Sequence, residues 1–323
     1  MDTSSQDAVA SSRDPLSGPQ SPDLFNALIR ECQKHEPIPV AVCWPCSNVS
    51  LSGAVEAAEA GLIQPRLVGS ESQMRQIAGT LGLNLDSYEI IDIDSEEEAA
   101  LRCTELCHSG YAKALMKGSL HTDLFMRFVF KKEDGLRTTR RVSHVFVMEV
   151  PLYERPLLIS DAAINIYPTL ADKVDIVQNA IDLAHTLGNP MPKVAILSAI
   201  ETVNPKIIST LDAAALCKMA ERGQITGAIL DGPLAFDTAV SEEAARLKHL
   251  QSAVVGKADI LIVPDLESGN MLAKQLEYLG GARLAGIVVG ASVPIILTSR
   301  ADSAESRVAS SAVASKLAHV AKS

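Results

Sequence analysis

The chain has 323 residues, 47% of them hydrophobic and 21% charged, with a formal net charge of −10. That length suits two α/β domains, and the balance is that of an ordinary globular protein. An acidic total without a Lys/Arg block excludes a general nucleic-acid binder, although a few local arginines can still hold a phosphorylated small molecule. No apolar run reaches membrane-spanning length, since the richest, residues 285–297, is broken by Gly290 and Pro294.

Residues 1–22 are rich in Ser, Asp, Gln and Pro and lack the apolar core of a secretory signal. They read as a disordered tail on a cytoplasmic protein. Residues 23–34 then show a helical spacing of Leu24, Leu28 and Ile29. Short apolar strands are expected at 39–44, 66–69, 88–93 and 114–116. They alternate with helices begun at Ser50 or Ser52, running over 74–81, and opened by Ser95 with Glu96, Glu97 and Glu98. The middle repeats the alternation. Strands fall at 145–150, 157–160, 194–197, 227–230, 260–263, 286–289 and 295–297, with helices after Asp172, over 210–222, over 270–279 and after Asp302. Strand and helix alternating at this spacing predict a parallel sheet covered on both faces. The basic stretch 131–141 is the expected interdomain crossing.

Six cysteines in a chain this long do not make a disulfide framework. Cys43-Trp44-Pro45-Cys46 has no second C-x-x-C to complete a zinc site, so no metal is expected and the thiols read as structural.

Chemistry in such sheets sits where strands run into helices, because unpaired backbone N–H groups there favour anions. Four polar loops qualify. Lys117-Gly118-Ser119-Leu120-His121-Thr122-Asp123, with Arg127 one turn further, offers a Gly for close backbone approach and hydroxyl and guanidinium groups for phosphate, or equally a strand-to-helix turn capped by Thr or Asp. Residues 198–209 hold Glu201, Thr202, Asn204 and Lys206, and read as a polar surface loop. Residues 264–270 place Asp265 at a strand end, with Gly269-Asn270 expected to make the turn and cap a helix. Residues 298–306 bring together Thr298, Ser299, Arg300, Asp302 and Glu305; Asp302-x-x-Glu305 is also close to a capping box. No Walker A loop, dinucleotide G-x-G-x-x-G or G-x-S-x-G elbow occurs. Spacing alone leads to a two-domain α/β protein with an anion-friendly cleft.

Six segments resemble the phosphate acetyltransferase and phosphate butyryltransferase family: 115–123 (LMKGSLHTD), 159–165 (ISDAAIN), 172–179 (DKVDIVQN), 230–237 (LDGPLAFD), 263–271 (VPDLESGNM) and 297–303 (LTSRADS). The likeness runs from about residue 22 to the end and is similar to the acyltransferase half of proteins fused to an enoyl-CoA hydratase domain. It implies an α/β fold of two α/β/α sandwich domains with a cleft between them, isocitrate/isopropylmalate dehydrogenase-like. Residues 23–140 and 290–323 would form a discontinuous first domain and 141–289 the second. It also implies a homodimer, no tightly bound cofactor, and coenzyme A, inorganic phosphate and acyl phosphate as substrates in direct transfer without an acyl-enzyme. Carried over by position, Ser299 would donate to the reacting oxygens, and Arg300 and Arg127 would hold phosphate or coenzyme A. Gly118, Ser119, His121, Thr122, Asp265 and Asn270 would line the substrate site. The acetyl-specific family carries an Asp seven residues after the Ser, where this chain has Ser306; Asp302 or Glu305 is the expected substitute as base. Alternatives are a phosphate butyryltransferase, a non-catalytic acetyl-CoA-sensing module, and an NAD- and metal-dependent decarboxylating dehydrogenase of the same fold, for which Asp231, Asp237 and Asp265 would gather the metal.

Overall fold

The computed structural model describes residues 23–298 and 302–320. The expected tail, together with Ser299 and Arg300, lies outside them. After α1 (Leu24–Cys32), β1 (Ile38–Cys43), β2 (Ile63–Gly69), β3 (Glu89–Asp92) and β4 (Ala114–Lys117) alternate with α2 (Asn48–Glu59), α3 (Glu71–Leu81) and α4 (Glu96–His108), and α5 (Thr122–Val129) follows. The chain continues through β5 (Ser143–Glu149), β6 (Leu157–Ser160), α6 (Leu170–Thr186), β7 (Lys193–Leu197), α7 (Ile208–Glu221) and β8 (Ile229–Leu234). It ends with α8 (Phe236–Val240), α9 (Glu242–Leu247), β9 (Ile260–Ile262), α10 (Leu266–Tyr278), β10 (Arg283–Val289), β11 (Ile295–Ile296) and α11 (Ala304–Val320).

Local chemistry accounts for most starts and stops. Ser95 caps α4 through the Glu98 N–H at 3.1 Å, and three glutamates occupy the positive first turn. α2 begins earlier than the Ser50 or Ser52 start expected, because Ser47 supplies the cap. Pro65 lies inside β2. β3 pairs with β2 only from Arg66 onward, so no neighbour on that side asks Pro65 for an N–H.

The described strands form one 11-stranded sheet in the order β3-β2-β1-β4-β11-β10-β5-β6-β9-β7-β8. It is not wholly parallel, as the strand-helix alternation predicts. β10 pairs antiparallel with both β11 and β5, and β5 antiparallel with β6. A connection of a few residues between β10 and β11 can only make a hairpin. Consequently the carboxyl ends of β4 and β11 lie at one end of the sheet, and those of β6, β7 and β9 at the other.

β11 and α11, from the end of the chain, return to the first half: β11 pairs with β4 and α11 packs on α2, α1 and β10. A long apolar cluster covers one face, from Phe25, Leu51 and Val313 to Ile181 and Leu216. The opposite face carries two clusters: one under α4 and α5, including Phe125 and Leu297, the other under α8 to α10, including Phe146 and Leu284.

An ion cluster ties the chain ends to the sheet. Buried Glu149 accepts from the Phe25 N–H at 2.9 Å and from Arg283 Nη1 at 2.9 Å, while Arg283 Nε binds Glu305 at 2.6 Å. Arg283→Met orphans the Glu149 carboxylate. We expect a loss of about 2–3 kcal/mol in urea unfolding, below the full cost of an unpaired buried charge because Arg283 is itself a third exposed. An unchanged unfolding midpoint would contradict it.

Candidate active-site cleft

The two front-face clusters leave a seam between them. Side chains alternate along β10 and β5, so Gly286 and His144 face the seam between Leu297 and Val288 on one side and Leu284 and Phe146 on the other. Because Gly286 has no side chain, the His144 ring leans across β10: a Cβ on Gly286 would stand 3.1 Å from His144 Nε2 and 2.5 Å from the Leu297 carbonyl oxygen. His144 hydrogen-bonds that carbonyl, so Nε2 carries the proton. The ring stacks edge-on against Phe146 at 4.4 Å, and its Nδ1 is buried without a partner. Burial pushes the imidazole pKa down to about 4; the Leu297 bond opposes the shift and the Lys274 charge adds to it. The ring is therefore neutral at pH 7.

Above this floor the chain leaves β11 and reaches Thr298 two residues later. Arg307, 2% exposed, donates from Nη1 to Thr298 Oγ1 at 2.6 Å. Burial lowers its pKa against the pull of the Asp302 charge, yet a guanidinium stays protonated. Asp302 is 2% exposed and meets Lys274 Nζ at 3.1 Å. Burial disfavours the Lys274 charge, but Glu277 at 2.8 Å and Asp302 outweigh it and raise the pKa. Lys274 belongs to α10, on the other side of the seam. One turn earlier on the same helix face, Asn270 Nδ2 donates to the Ala162 carbonyl at 3.2 Å. α10 thus grips both rims of the cleft.

The far rim is the turn after β6. Asp161, 2% exposed, accepts from the N–H groups of Ala163 at 2.9 Å and Ile164 at 3.0 Å, and from the Asn165 side chain. Burial raises its pKa despite these bonds. Asn165 in turn accepts from Arg141 Nε at 2.6 Å.

Of the sequence candidates, Gly118, Ser119, His121 and Thr122 share the sheet end with Thr298 and Asp302, since β4 neighbours β11. The Gly118 N–H goes to the Cys43 carbonyl at 2.8 Å, and the Ser119 N–H and hydroxyl both go to Trp44 O at 2.9 Å. These donors brace β4 against β1. The N-cap position of α5 is His121, whose side chain makes no capping bond, in place of the Thr or Asp cap expected. Arg127 pairs with Glu97 at 2.7 Å; both are mostly exposed, so the pair is weak. Asp265 and Asn270 sit at the opposite sheet end. Asp265 is the cap of α10, in a capping box with Ser268, so the helix starts at Leu266 and Gly269-Asn270 lie inside it. Glu305 points to Arg283, away from Asp302's partner Lys274. The cap of α11 is Ser303, which accepts from the Ser306 N–H at 3.1 Å, so Asp302 and Glu305 form no capping box.

The sequence reading assigned no role to His144, Lys274 or Arg307, and named residues 161–165 only within the segment 159–165 that carries the resemblance. Two signals were available: a lone histidine in an otherwise apolar strand, and the i,i+4 spacing of Asn270 and Lys274. Among the described residues no group of three His, Cys, Asp or Glu stands close enough to hold a metal, and no helix is long and apolar enough to cross a membrane. The thiols of Cys46, Cys107 and Cys217 are pushed up by burial to about 11, 12 and 12, out of the nucleophile range.

Residues 97–315 match the family described as phosphate acetyl/butaryl transferase. The chain belongs to the phosphate acetyltransferase and butyryltransferase family. It is 55% identical over 296 residues to a phosphate acetyltransferase of Rhizobium meliloti, covering 92% of this chain and 94% of that one. Against a phosphate butyryltransferase of Clostridium acetobutylicum identity is 43% over 294 residues, covering 91% and 98%. The crystal structure of a branched-chain phosphotransacylase from Enterococcus faecalis V583 superposes with a TM-score of 0.77 at 32% identity, covering 87% of this chain and 99% of that one.

Two outcomes follow from the floor. Gly286→Ala forces Cβ onto the Leu297 carbonyl, and we expect a loss of about 1–3 kcal/mol together with reduced turnover; full activity at wild-type stability would show that the strand end yields freely. For His144, the unfolded ring takes up a proton near its ordinary 6.5 and the folded ring only near 4. Stability is therefore present above pH 6.5 and lost as pH falls, by up to about 3 kcal/mol at pH 4. Urea unfolding against pH should fall more steeply for wild type than for His144→Gln over that window, and parallel curves would refute the buried neutral ring.

Proposed function

We propose that the cleft between α5 and α10 transfers a short acyl group between coenzyme A and inorganic phosphate. The family match supports the reaction class. The observation that carries the site is α10, whose Asn270 and Lys274 join the Asp161 turn to the strand end at Thr298 and Asp302.

In this reading the sulfur of coenzyme A attacks the carbonyl carbon of an acyl phosphate. The carbonyl oxygen becomes anionic, then the carbon–oxygen bond to phosphate breaks and inorganic phosphate leaves. Three demands follow: a base for the thiol proton, donors for the oxyanion and cations for phosphate. Ser299 and Arg300, carried over by position, supply a donor and a cation next to Thr298. Arg127 is a second cation at the same sheet end. Of the two candidate bases, Asp302 fits. It is buried at the strand end with Lys274 fixing it, whereas Glu305 is 63% exposed and committed to Arg283. Two α/β/α domains meeting at this cleft, divided near 140/141 and 289/290, give the seam a natural hinge line, and the return of β11 and α11 to the first half supports that division.

Thioester formation from coenzyme A and a series of acetyl, propionyl and butyryl phosphates tests the reaction. Within it, Asp302→Asn should lower kcat by about 10²-fold, and Glu305→Gln should stay within about twofold. The reverse ranking would transfer the base to Glu305, and two near-wild-type enzymes would leave neither carboxylate in the role.

A further inference from the structure

The segment joining α5 to β5 is the most basic stretch of an acidic protein. Residues 131–141 contain Lys131, Lys132, Arg137, Arg140 and Arg141 against Glu133 and Asp134, in a chain of net charge −10. Three of these arginines line one pocket of about 210 Å³, walled by Phe130, Ile164 and Asn165. It adjoins the far rim of the acyl-transfer cleft through Ile164 and Asn165, and no step of the proposed transfer uses its arginines.

The pocket is built rather than draped. The Ser292 N–H donates to Leu136 O at 2.9 Å and Thr138 Oγ1 donates to Gly290 O at 2.7 Å, lacing the segment to the β10–β11 turn. On the other side the Arg141 N–H donates to Asp175 at 2.8 Å, and Asn179 Nδ2 to Arg141 O at 2.8 Å, lacing it to α6. Gly290 has φ +85°, and a Cβ there would sit 2.7 Å from Arg141 O. Asn165, 3% exposed, orients the Arg141 guanidinium through Nε at 2.6 Å. Arg141 also meets Asp172 at 3.2 Å, and Arg140 pairs with Asp182. Three carboxylates, those of Asp172, Asp175 and Asp182, thus stand near three guanidiniums, but only Asp172 and Asp182 pair with a guanidinium. Arg137 forms no salt bridge with a described residue, and its side chain is exposed at the pocket.

A guanidinium with no carboxylate partner among the described residues, beside two that are held by theirs, matches the oxygens of a phosphate, and an aromatic wall matches a flat ring. We infer that this pocket binds the phosphorylated end of a nucleotide. The chemistry has two sources: the nucleotide end of coenzyme A itself, which rests on the transferase reading, or a free nucleotide acting as an effector. The geometry admits the first. Val142, at the pocket, lies beside Ser143, which pairs with Val289, three residues along β10 from Gly286 on the cleft floor. At ~3.3 Å per residue that is roughly 10 Å, a span an extended cofactor arm can cross.

Calorimetric titration of the full chain with coenzyme A and, separately, with ATP tests the pocket, using wild type, Arg137→Gln, and the double variant Arg137→Gln, Arg140→Gln. The expected result is at least tenfold weaker binding of one of the two ligands to the double variant, with a smaller loss for Arg137→Gln, which sacrifices no salt bridge and so guards against misfolding. Loss for coenzyme A, with ATP competing for its site, identifies the substrate's own nucleotide end. Loss for ATP alone, without competition, identifies an effector. Wild-type affinities for both ligands in both variants, or no ATP or coenzyme A binding to wild type, would overturn the proposal. A wild type that binds through this pocket yet forms no thioester would sink the transferase reading and leave the pocket standing.

Discussion

The reversal of strand direction at β10 and β5 is the constraint on which the cleft depends. Had the sheet been parallel throughout, every strand would end at the same edge and the polar loops would crowd there. With three successive antiparallel pairings, β11 with β10, β10 with β5 and β5 with β6, the loops after β4 and β11 lie at one end and those after β6 and β9 at the other. The region between them is floored by backbone and by the few side chains that fit over it. Gly286 and His144 are those positions. The glycine gives the imidazole room, and the imidazole occupies a carbonyl that the short β11 ladder leaves beyond its last pair.

Opposite ends must then be held at a fixed separation, and α10 does so. Asn270 and Lys274 are one turn apart, about 6 Å along the axis. One binds a backbone carbonyl of the Asp161 turn and the other a carboxylate beyond β11. The second contact is strongly coupled. Asp302 is nearly without solvent, so its charge relies on Lys274 and on the nearby Arg307. A buried ion pair is weak evidence for stability, because desolvation offsets most of the attraction, but it tolerates little displacement of either partner. The pair therefore serves better as a register pin between helix and strand end than as a source of stability.

Much of this fold was legible in the chain. Ser95 followed by three glutamates announces a helix start, and apolar runs such as β6 were found at their true bounds. Direction was not legible, because a short buried run such as β10 reads the same in a parallel or an antiparallel pair. The start of α10 was misplaced for a related reason. Gly269-Asn270 is a strong turn signal, and only tertiary contact shows that the Gly packs inside a helix against the Asp161 turn while Asp265 and Ser268 make the cap. Of the candidate site, resemblance pointed to the segment 297–303, of which the structure describes Leu297, Thr298, Asp302 and Ser303. Resemblance did not reach Lys274, His144 or Arg307, whose relation to that segment is a matter of packing across the sheet and leaves no mark in local spacing.

Topology also accounts for the arginine-bearing segment. β5 is not inserted beside β4; two places are left between them, filled only when the chain returns as β10 and β11. The chain after α5 must therefore cross that gap, turning at 132–134 before it runs along the edge where the later hairpin will turn. A segment obliged to cross, and then clamped by the hairpin on one side and α6 on the other, holds its side chains with little entropy left to lose. Guanidiniums fixed in this way lose less on binding an anion than arginines on a free loop, which is the advantage of preorganisation. In a protein of net negative charge the field of such a cluster falls off within a Debye length, about 8 Å at physiological ionic strength.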